Sequence, residues 1–236
     1  MSKITPLRVR DYRNIVVLTG AGISVASGIA PFRGPGGLWT EKDIEECATA
    51  TALKLNPKKV WDAFAFVRQK SDSVPPNAAH LALAELEKHN PNTWILTQNI
   101  DGLHQKAGSK NVLELHGSIH RSQCTRYCSP PFPDKEIAFH YCKKCGAPLR
   151  YDIVLFEESL DSQIIQETAQ LLEQADLFLV VGTSGIVFPA AGFIYNAQRA
   201  GAKIAVVNLE PLPYHFPCIQ INGKAEEILP QLFDYS

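Results

Sequence analysis

The chain has 236 residues, 45% of them apolar and 20% charged, enough for one large core or for one core with a small appendage. A formal net charge of -1 gives no electrostatic case for binding nucleic acid or a membrane surface. No stretch reaches the roughly 18 consecutive apolar residues of a membrane span, and the opening MSKITPLRVRDYRN lacks the apolar core of a secretory signal, so the expected address is cytoplasmic.

In chain order, the first element is an apolar run at 15–19. It is of strand length, lacks period-2 alternation and stops at a glycine, the pattern of a buried parallel strand. Residues 38–74 read as helices and loops without a strand. A helix is expected over 77–88, with Asn77 after Pro76 as its cap, and then a second buried strand at 94–97. A weaker strand candidate covers 111–115. A Cys- and Pro-rich stretch without periodicity runs over 118–150, and another weak strand lies at 152–156. There follow a helix at 162–174 capped by Asp161 or Ser162, a strand at 177–181, a helix at 189–200, a strand at 204–207 and a helix at 225–233. Strands alternating with helices give an α/β fold, a doubly wound parallel sheet. Within it, 38–74 and 118–150 are insertions, one helical and one stapled by metal.

Polar and glycine-rich segments follow the strands directly: GAGIS, QNIDGLH, HGS, GTS and NLE. Open α/β sheets bind ligands beyond the carboxyl ends of their strands, so five such loops on one edge define a site. Gly20 and Gly22 let the backbone approach a phosphate, with the free N–H groups of the next helix behind them. The third glycine of a dinucleotide fingerprint would fall at Val25, and no second strand with a ribose-binding acid follows. Instead Pro31, Phe32, Arg33 and Trp39 lie on a stretch that leaves the sheet to cover the ligand. Asn208 and Glu210 can take over the ribose. Thr183 and Ser184 can bond phosphate or ribose oxygens, or simply cap a helix.

Gln98, Asn99 and Asp101 crowd polar groups after a strand, although Asp101-Gly102 is also turn chemistry and His104 reads as structural. His116, at a strand end before Gly117, is the candidate general base, because imidazole titrates nearest to neutral pH. Cys124-x3-Cys128 and Cys142-x2-Cys145 have the two-knuckle spacing of a closed, structural zinc site. His140 is an alternative ligand there, while Cys47 and Cys218 are isolated packing residues. The basic residues of that module (Arg121, Arg126, Lys135, Lys143, Lys144 and Arg150) leave a minor nucleic-acid role open.

GAGISVASGIAPFRG, TQNIDGLH, the strand-end HG, the four-cysteine module, GTS and NLE together resemble, in order and approximate spacing, the sirtuins, the NAD-dependent protein-lysine deacylases. PNAAHLALAEL and GTSGIVFPAAGF are most similar to the compact bacterial members. The resemblance implies a Rossmann-like large domain (1–37, 76–117 and 151–236) and a small domain of helical insertion (38–75) and zinc-ribbon module (118–150). NAD, consumed as co-substrate, and an acyl-lysine protein or peptide would meet between them, with one structural zinc ion nearby. It implies NAD contacts from Gly20, Ala21, Gly22, Ser24, Phe32, Arg33, Trp39, Gln98, Asn99, Ile100, Asp101, Gly182, Thr183, Ser184, Asn208, Glu210 and Ala225. His116 would be the base, with Asn99 and Asp101 holding the nicotinamide, and Phe156, Glu157, Glu158, Gly185, Val187 and Arg68 would meet the substrate.

Two departures from the family pattern stand out. Members that remove succinyl or malonyl groups carry a Tyr-x-x-Arg pair in the helical insertion. Here the matching stretch is Phe64-Ala65-Phe66-Val67-Arg68, with no tyrosine, which favours an apolar acyl group and acetyl above all. The segment that usually reads Phe-Gly-Glu is Phe156-Glu157-Glu158. A mono-ADP-ribosyltransferase or NAD hydrolase, or a non-catalytic NAD sensor, are the alternative readings of the same residues.

Overall fold

The computed structural model describes residues 5–31, 37, 39–183, 190–212 and 216–236. A short β1 (Leu7–Arg8) leads to β2 (Ile15–Thr19), all five residues of which are buried. Ile15 and Val17 face one core cluster, Val16 and Leu18 the other, and this two-sided burial is why the strand shows no alternation. A 3-10 turn over Ala21–Ser27 follows and closes on Gly28 at φ 88°.

The helical insertion contains α1 (Glu41–Cys47), opened by a Thr40–Asp43 capping box, and α2 (Ala50–Leu55), capped by Thr49. In α3 (Pro57–Ser73), Pro57 occupies the first turn and the Asn56 side chain caps it. Next come α4 (Ala78–His89), capped by Asn77, then β3 (Thr93–Thr97), α5 (Leu103–Ala107) and β4 (Val112–Glu114). The cysteine-rich segment supplies β5 (Gly117–Cys124), β6 (Phe132–Pro133) and β7 (Leu149–Ile153). The chain then runs through α6 (Ser162–Glu173), capped by Asp161, β8 (Leu177–Val181), α7 (Ala190–Arg199) and β9 (Lys203–Asn208). It ends with β10 (Ile219–Asn222), α8 (Ala225–Leu232) and β11 (Phe233–Asp234), which pairs with β1.

Six strands form one parallel sheet in the order β10-β9-β8-β2-β3-β4. The chain builds outward from β2 first to one side and then to the other, so the topological switch point lies between β2 and β8. Leu83 and Leu86 of α4 and Leu229 and Leu232 of α8 seal one face, while Leu172 of α6 and Phe193 and Ala197 of α7 seal the other. A separate antiparallel sheet, β6-β5-β7, packs on α1–α3 around Trp61, Phe64 and Tyr151. Trp61 stacks on Tyr151 at 4.3 Å between ring centroids and donates its indole N–H to the Ile137 carbonyl.

Besides the strands β1, β5, β6 and β11, which the sequence reading did not place, the structure departs from it in three places. The weak strand placed at 152–156 is found three residues earlier and belongs to the small sheet, antiparallel to β5. β10 is an edge strand of four residues with only Ile219 and Ile221 as apolar signal. α5, at five residues, is too short to show a helical period.

Gly117 joins the two sheets. It holds φ 76°, and a Cβ there would lie 2.1 Å from the Asp152 carbonyl oxygen. Gly117→Ala is therefore expected to cost about 2–4 kcal/mol of unfolding free energy in urea titrations. Gly108→Ala, also at positive φ but with nothing near its Cβ, is expected to cost about 1 kcal/mol.

Candidate active site

The carboxyl ends of β2, β3, β4, β8 and β9 bring the predicted polar residues to one edge. The loop after β2 meets the loop after β8 through backbone alone: Gly20 N–H donates to Val181 O (3.0 Å) and Gly22 N–H to Gly182 O (2.8 Å). Thr183, next in line, is tied to Asn208 at the end of β9 by two hydrogen bonds, N–H to Oδ1 (3.1 Å) and Nδ2 to the Thr183 carbonyl (2.8 Å). Gln98 Nε2 donates to Thr183 Oγ1 across the switch point at 3.1 Å. On the other side, Asn99 Nδ2 reaches Gly20 O (3.1 Å) and Ser24 Oγ (3.2 Å), and Ser24 Oγ donates to Asp101 Oδ2 (2.7 Å). Gln98, Thr183 and Asn208 thus form one bonded group and Asn99, Gly20, Ser24 and Asp101 another, and Thr19 and Thr97 join the two into a network: Gln98 Nε2 donates to Thr19 O, Thr19 Oγ1 to Thr97 Oγ1, and Asn99 N–H to Thr97 Oγ1.

Asp101 is 6% exposed, and burial raises its pKa against the opposing pull of the Leu103 N–H and the Ser24 hydroxyl. His116 follows β4. Its Nδ1 lies 2.8 Å from the Gln98 carbonyl, an acceptor, so Nδ1 carries the proton and Nε2 is left as the basic nitrogen. Burial holds the His116 pKa below the ordinary value, against the Gln98 bond that would raise it, so the ring is neutral at pH 7.

Other predicted residues are placed around this network or away from it. Ala21 and Gly22 lie on the 3-10 turn, Trp39 packs on Phe64 at 4.9 Å between ring centroids, and the Ile100 carbonyl accepts from Ile119 N–H. Ala225 is buried at the start of α8, and Glu210 is exposed after β9. Phe32, Arg33, Ser184, Gly185 and Val187 lie outside the described residues. Arg68 lies inside the small module. It is 3% exposed, donates to the carbonyls of Asp134 and Glu136, and lies 5.9 Å over the Tyr151 ring, bracing α3 against the cysteine-rich segment.

Sequence reasoning missed the polar row beneath the site. Thr19 and Thr97 end neighbouring strands and bond to each other at 2.9 Å, and His104 Nε2 lies 2.9 Å from Thr19 Oγ1. The His104 ring stands 4.9 Å from that of His80, whose Nδ1 accepts from Asn77 N–H. A threonine closing each of two adjacent apolar strands was the available signal.

The Sir2 family profile matches residues 20–189. The chain belongs to the Sir2 family. It is 42% identical over 225 residues to NAD-dependent protein deacylase 2 of Pyrobaculum aerophilum, covering 94% of this chain and 90% of that one. To NAD-dependent protein deacetylase 1 of the same organism it is 41% identical over 241 residues, covering 99% and 94%. Among solved structures, a complex of a Sir2 homologue with NAD superposes with a TM-score of 0.88 at 37% identity, covering 95% of this chain and 89% of that one.

In this sirtuin the four predicted cysteines converge. Their Sγ atoms all lie within 4.8 Å of one another, with Cys124–Cys145 and Cys128–Cys145 at 3.4 Å and Cys128–Cys142 at 3.5 Å. These separations are far beyond the roughly 2.05 Å of a disulfide and near the roughly 3.8 Å edge of a tetrahedron with 2.3 Å zinc–sulfur bonds. The donor set therefore fits one structural zinc. His140 is not a ligand candidate in this arrangement: it pairs with Asp134 at 3.1 Å and packs edge-on against Trp61. Three of the module's basic residues are also engaged, Arg121 with Glu114 and Asp152, Arg150 with Glu158, and Lys144 with the Cys128 carbonyl.

Two outcomes follow from this geometry. Elemental analysis is expected to find one zinc per chain, and its removal by chelator, or Cys142→Ala, to lower Tm by on the order of 10 °C. The second concerns acid. Burial pushes the His80 pKa down to about 4 and that of His104 well below its ordinary value. An unfolded histidine takes its proton near pH 6.5, so stability is complete above pH 6.5 and drains away as pH falls from 6.5 to about 4, by about 3 kcal/mol for His80 alone. Urea denaturation between pH 7 and pH 4.5 reads this slope, and His80→Gln is expected to flatten it.

Proposed function

We infer that this sirtuin removes acyl groups, acetyl before others, from lysine side chains of proteins in the cytoplasm. NAD and one water are consumed, and nicotinamide, the free lysine and O-acyl-ADP-ribose are released. The observation that carries this reading is His116, neutral, pinned through Nδ1 to Gln98 and with Nε2 as its basic nitrogen, on the edge where Asn99, Asp101 and Thr183 converge.

Bound NAD supplies an activated glycosidic bond and the ribose hydroxyls; the protein's part is positioning and proton transfer. Gly20, Ala21 and Gly22 offer a backbone cradle to the pyrophosphate. Asn99 and Asp101, already locked to Ser24 and Gly20, present a rigid polar wall to the nicotinamide carboxamide. Asn208 and Thr183 hold the adenosine side, with Glu210 and Ala225 beyond them. His116 accepts a proton at Nε2 from a ribose hydroxyl, which frees that oxygen to take the acyl group.

An uncharged acyl chain is supported by the small module. Three residues before Arg68, where the acid-selective pattern has tyrosine, stands the buried Ala65, and an apolar hollow lined by Leu53, Val60, Trp61, Phe64, Tyr151 and Leu155 lies in the same module. The one cation lining that hollow, Arg150, is bound to Glu158 and to the Ile153 carbonyl.

With an acetyl-lysine peptide, His116→Ala is expected to lower kcat by about 10²–10⁴-fold while NAD affinity stays within about threefold. Mass spectrometry of a panel of acetyl, propionyl, butyryl and succinyl peptides is expected to rank succinyl last. Radiolabel from the ADP-ribose half of NAD appearing on protein without any acyl-lysine present would instead support the ADP-ribosyltransferase reading.

A further inference from the structure

The turn that presents Phe156 contains a conformation that its own sequence disfavours. Glu158 N–H donates to Leu155 O at 3.1 Å, closing a four-residue turn in which Glu157 sits at φ 71°. A positive φ at the third position is the signature of a type II turn, which selects glycine because a Cβ crowds the following carbonyl. Glutamate has no intrinsic reason to be there. Its side chain supplies one: Oε2 accepts from Thr51 N–H at 3.0 Å and from Thr51 Oγ1 at 2.7 Å, the first turn of α2.

The contact extends along the backbone. Phe156 N–H donates to Ala48 O (2.9 Å), Ala50 N–H donates to Phe156 O (3.0 Å), and Phe156 bridges Thr49 as a one-residue parallel strand. On its far side the turn is clamped by Glu158, which takes two bonds from Arg150 at 2.5 and 2.8 Å and one from Leu155 N–H at 2.8 Å. Glu157 is the exposed outer member of this clamp and the only side chain in the turn that reaches α2 with a charge-assisted bond.

We propose that Glu157 is a positioning residue that latches the helical insertion to the substrate-facing turn, and so sets the affinity for the acyl-lysine peptide. The inference rests on the deacylase reading for its peptide partner, while the latch itself is a property of the fold. Glu157 fixes the distance between α2 and the Phe156 backbone. One wall of the peptide groove is then preformed, and the peptide has less ordering to supply on binding.

The test uses the full-length, zinc-loaded protein and an acetyl-lysine peptide. Glu157→Gly relaxes the turn but removes the latch, Glu157→Ala removes the latch and keeps the crowded φ, and Glu157→Gln keeps an acceptor facing Thr51. Both Glu157→Gly and Glu157→Ala are expected to raise KM for the peptide about fivefold, with KM for NAD moving less than twofold and the loss falling on KM rather than kcat. Glu157→Gln is expected to restore most of the peptide affinity. Melting separates strain from latch: Glu157→Gly melts above Glu157→Ala.

Hydrogen exchange at the Thr51 amide gives a readout independent of turnover. Protection is expected to fall in Glu157→Gly and to remain in Glu157→Gln. Unchanged Thr51 protection overturns the latch. Lost protection with an unchanged peptide KM overturns its role in substrate binding. A wild-type protein that turns over no acyl peptide overturns the deacylase reading while leaving the exchange result to stand.

Discussion

The loops after β2 and β8 meet with no room for a side chain between them. A Cβ on Gly20 would lie 2.8 Å from Gly182 O, one on Gly22 2.8 Å from Gly182 Cα, and one on Gly182 2.5 Å from Ile23 N. Because the two halves of the sheet touch backbone to backbone at the switch point, Thr183 comes within reach of Gln98 and Asn99 within reach of Gly20. The glycines that resemble a phosphate-binding fingerprint are thus structural before they are anything else. The same contact explains Val25. The third fingerprint glycine serves close packing of a helix on a strand. Here the segment is a 3-10 turn and Val25 faces solvent at 48% exposure, so nothing demands a glycine.

Burial and hydrogen bonding divide the titratable groups of the site into two sets. His80 and His104 lie beneath it, neutral and sealed, and serve as packing for the Thr19–Thr97 pair. His116 is half-buried, with one nitrogen committed to Gln98. Desolvation lowers all three histidines, yet only the one at the open edge can exchange a proton with a ligand. Position in the fold, rather than intrinsic basicity, separates the accessible histidine from the sealed pair.

How far the sequence was legible depends on how local each signal was. The central strands were readable within a residue at each end because both faces of the sheet are apolar. The cysteine cluster was readable because two close pairs need only one turn each to converge. The partners of Arg68 were not legible, because an arginine on a helix says nothing about which carbonyls lie opposite, and those belong to residues far along the chain. Glu157 was visible as an oddity but not as a latch, since its partner Thr51 lies in another insertion. Short or weakly apolar elements such as α5 and β10 escaped for local reasons, and the rest of what escaped is the pairing between distant segments.

Those distant pairings concentrate where the small sheet departs from the large one, and this bears on how His116 is held. His116 lies between Glu114, at the end of β4, and Gly117, at the start of β5. Its own carbonyl accepts from Val154 N–H at 3.0 Å. Arg121 spans the same junction, donating from NH1 to Glu114 at 2.6 Å and from Nε to Asp152 at 2.7 Å. Flanking carboxylates from the two sheets therefore share one guanidinium, and His116 is bonded to either side, through its carbonyl to Val154 and through Nδ1 to the Gln98 carbonyl. A rotation of the small sheet about this junction cannot leave His116 behind on the large one without breaking the Val154 bond or parting Arg121 from one of its carboxylates. His116 is thereby fixed at the junction of the two sheets, its neighbours tied to both by Arg121 and its own carbonyl by Val154.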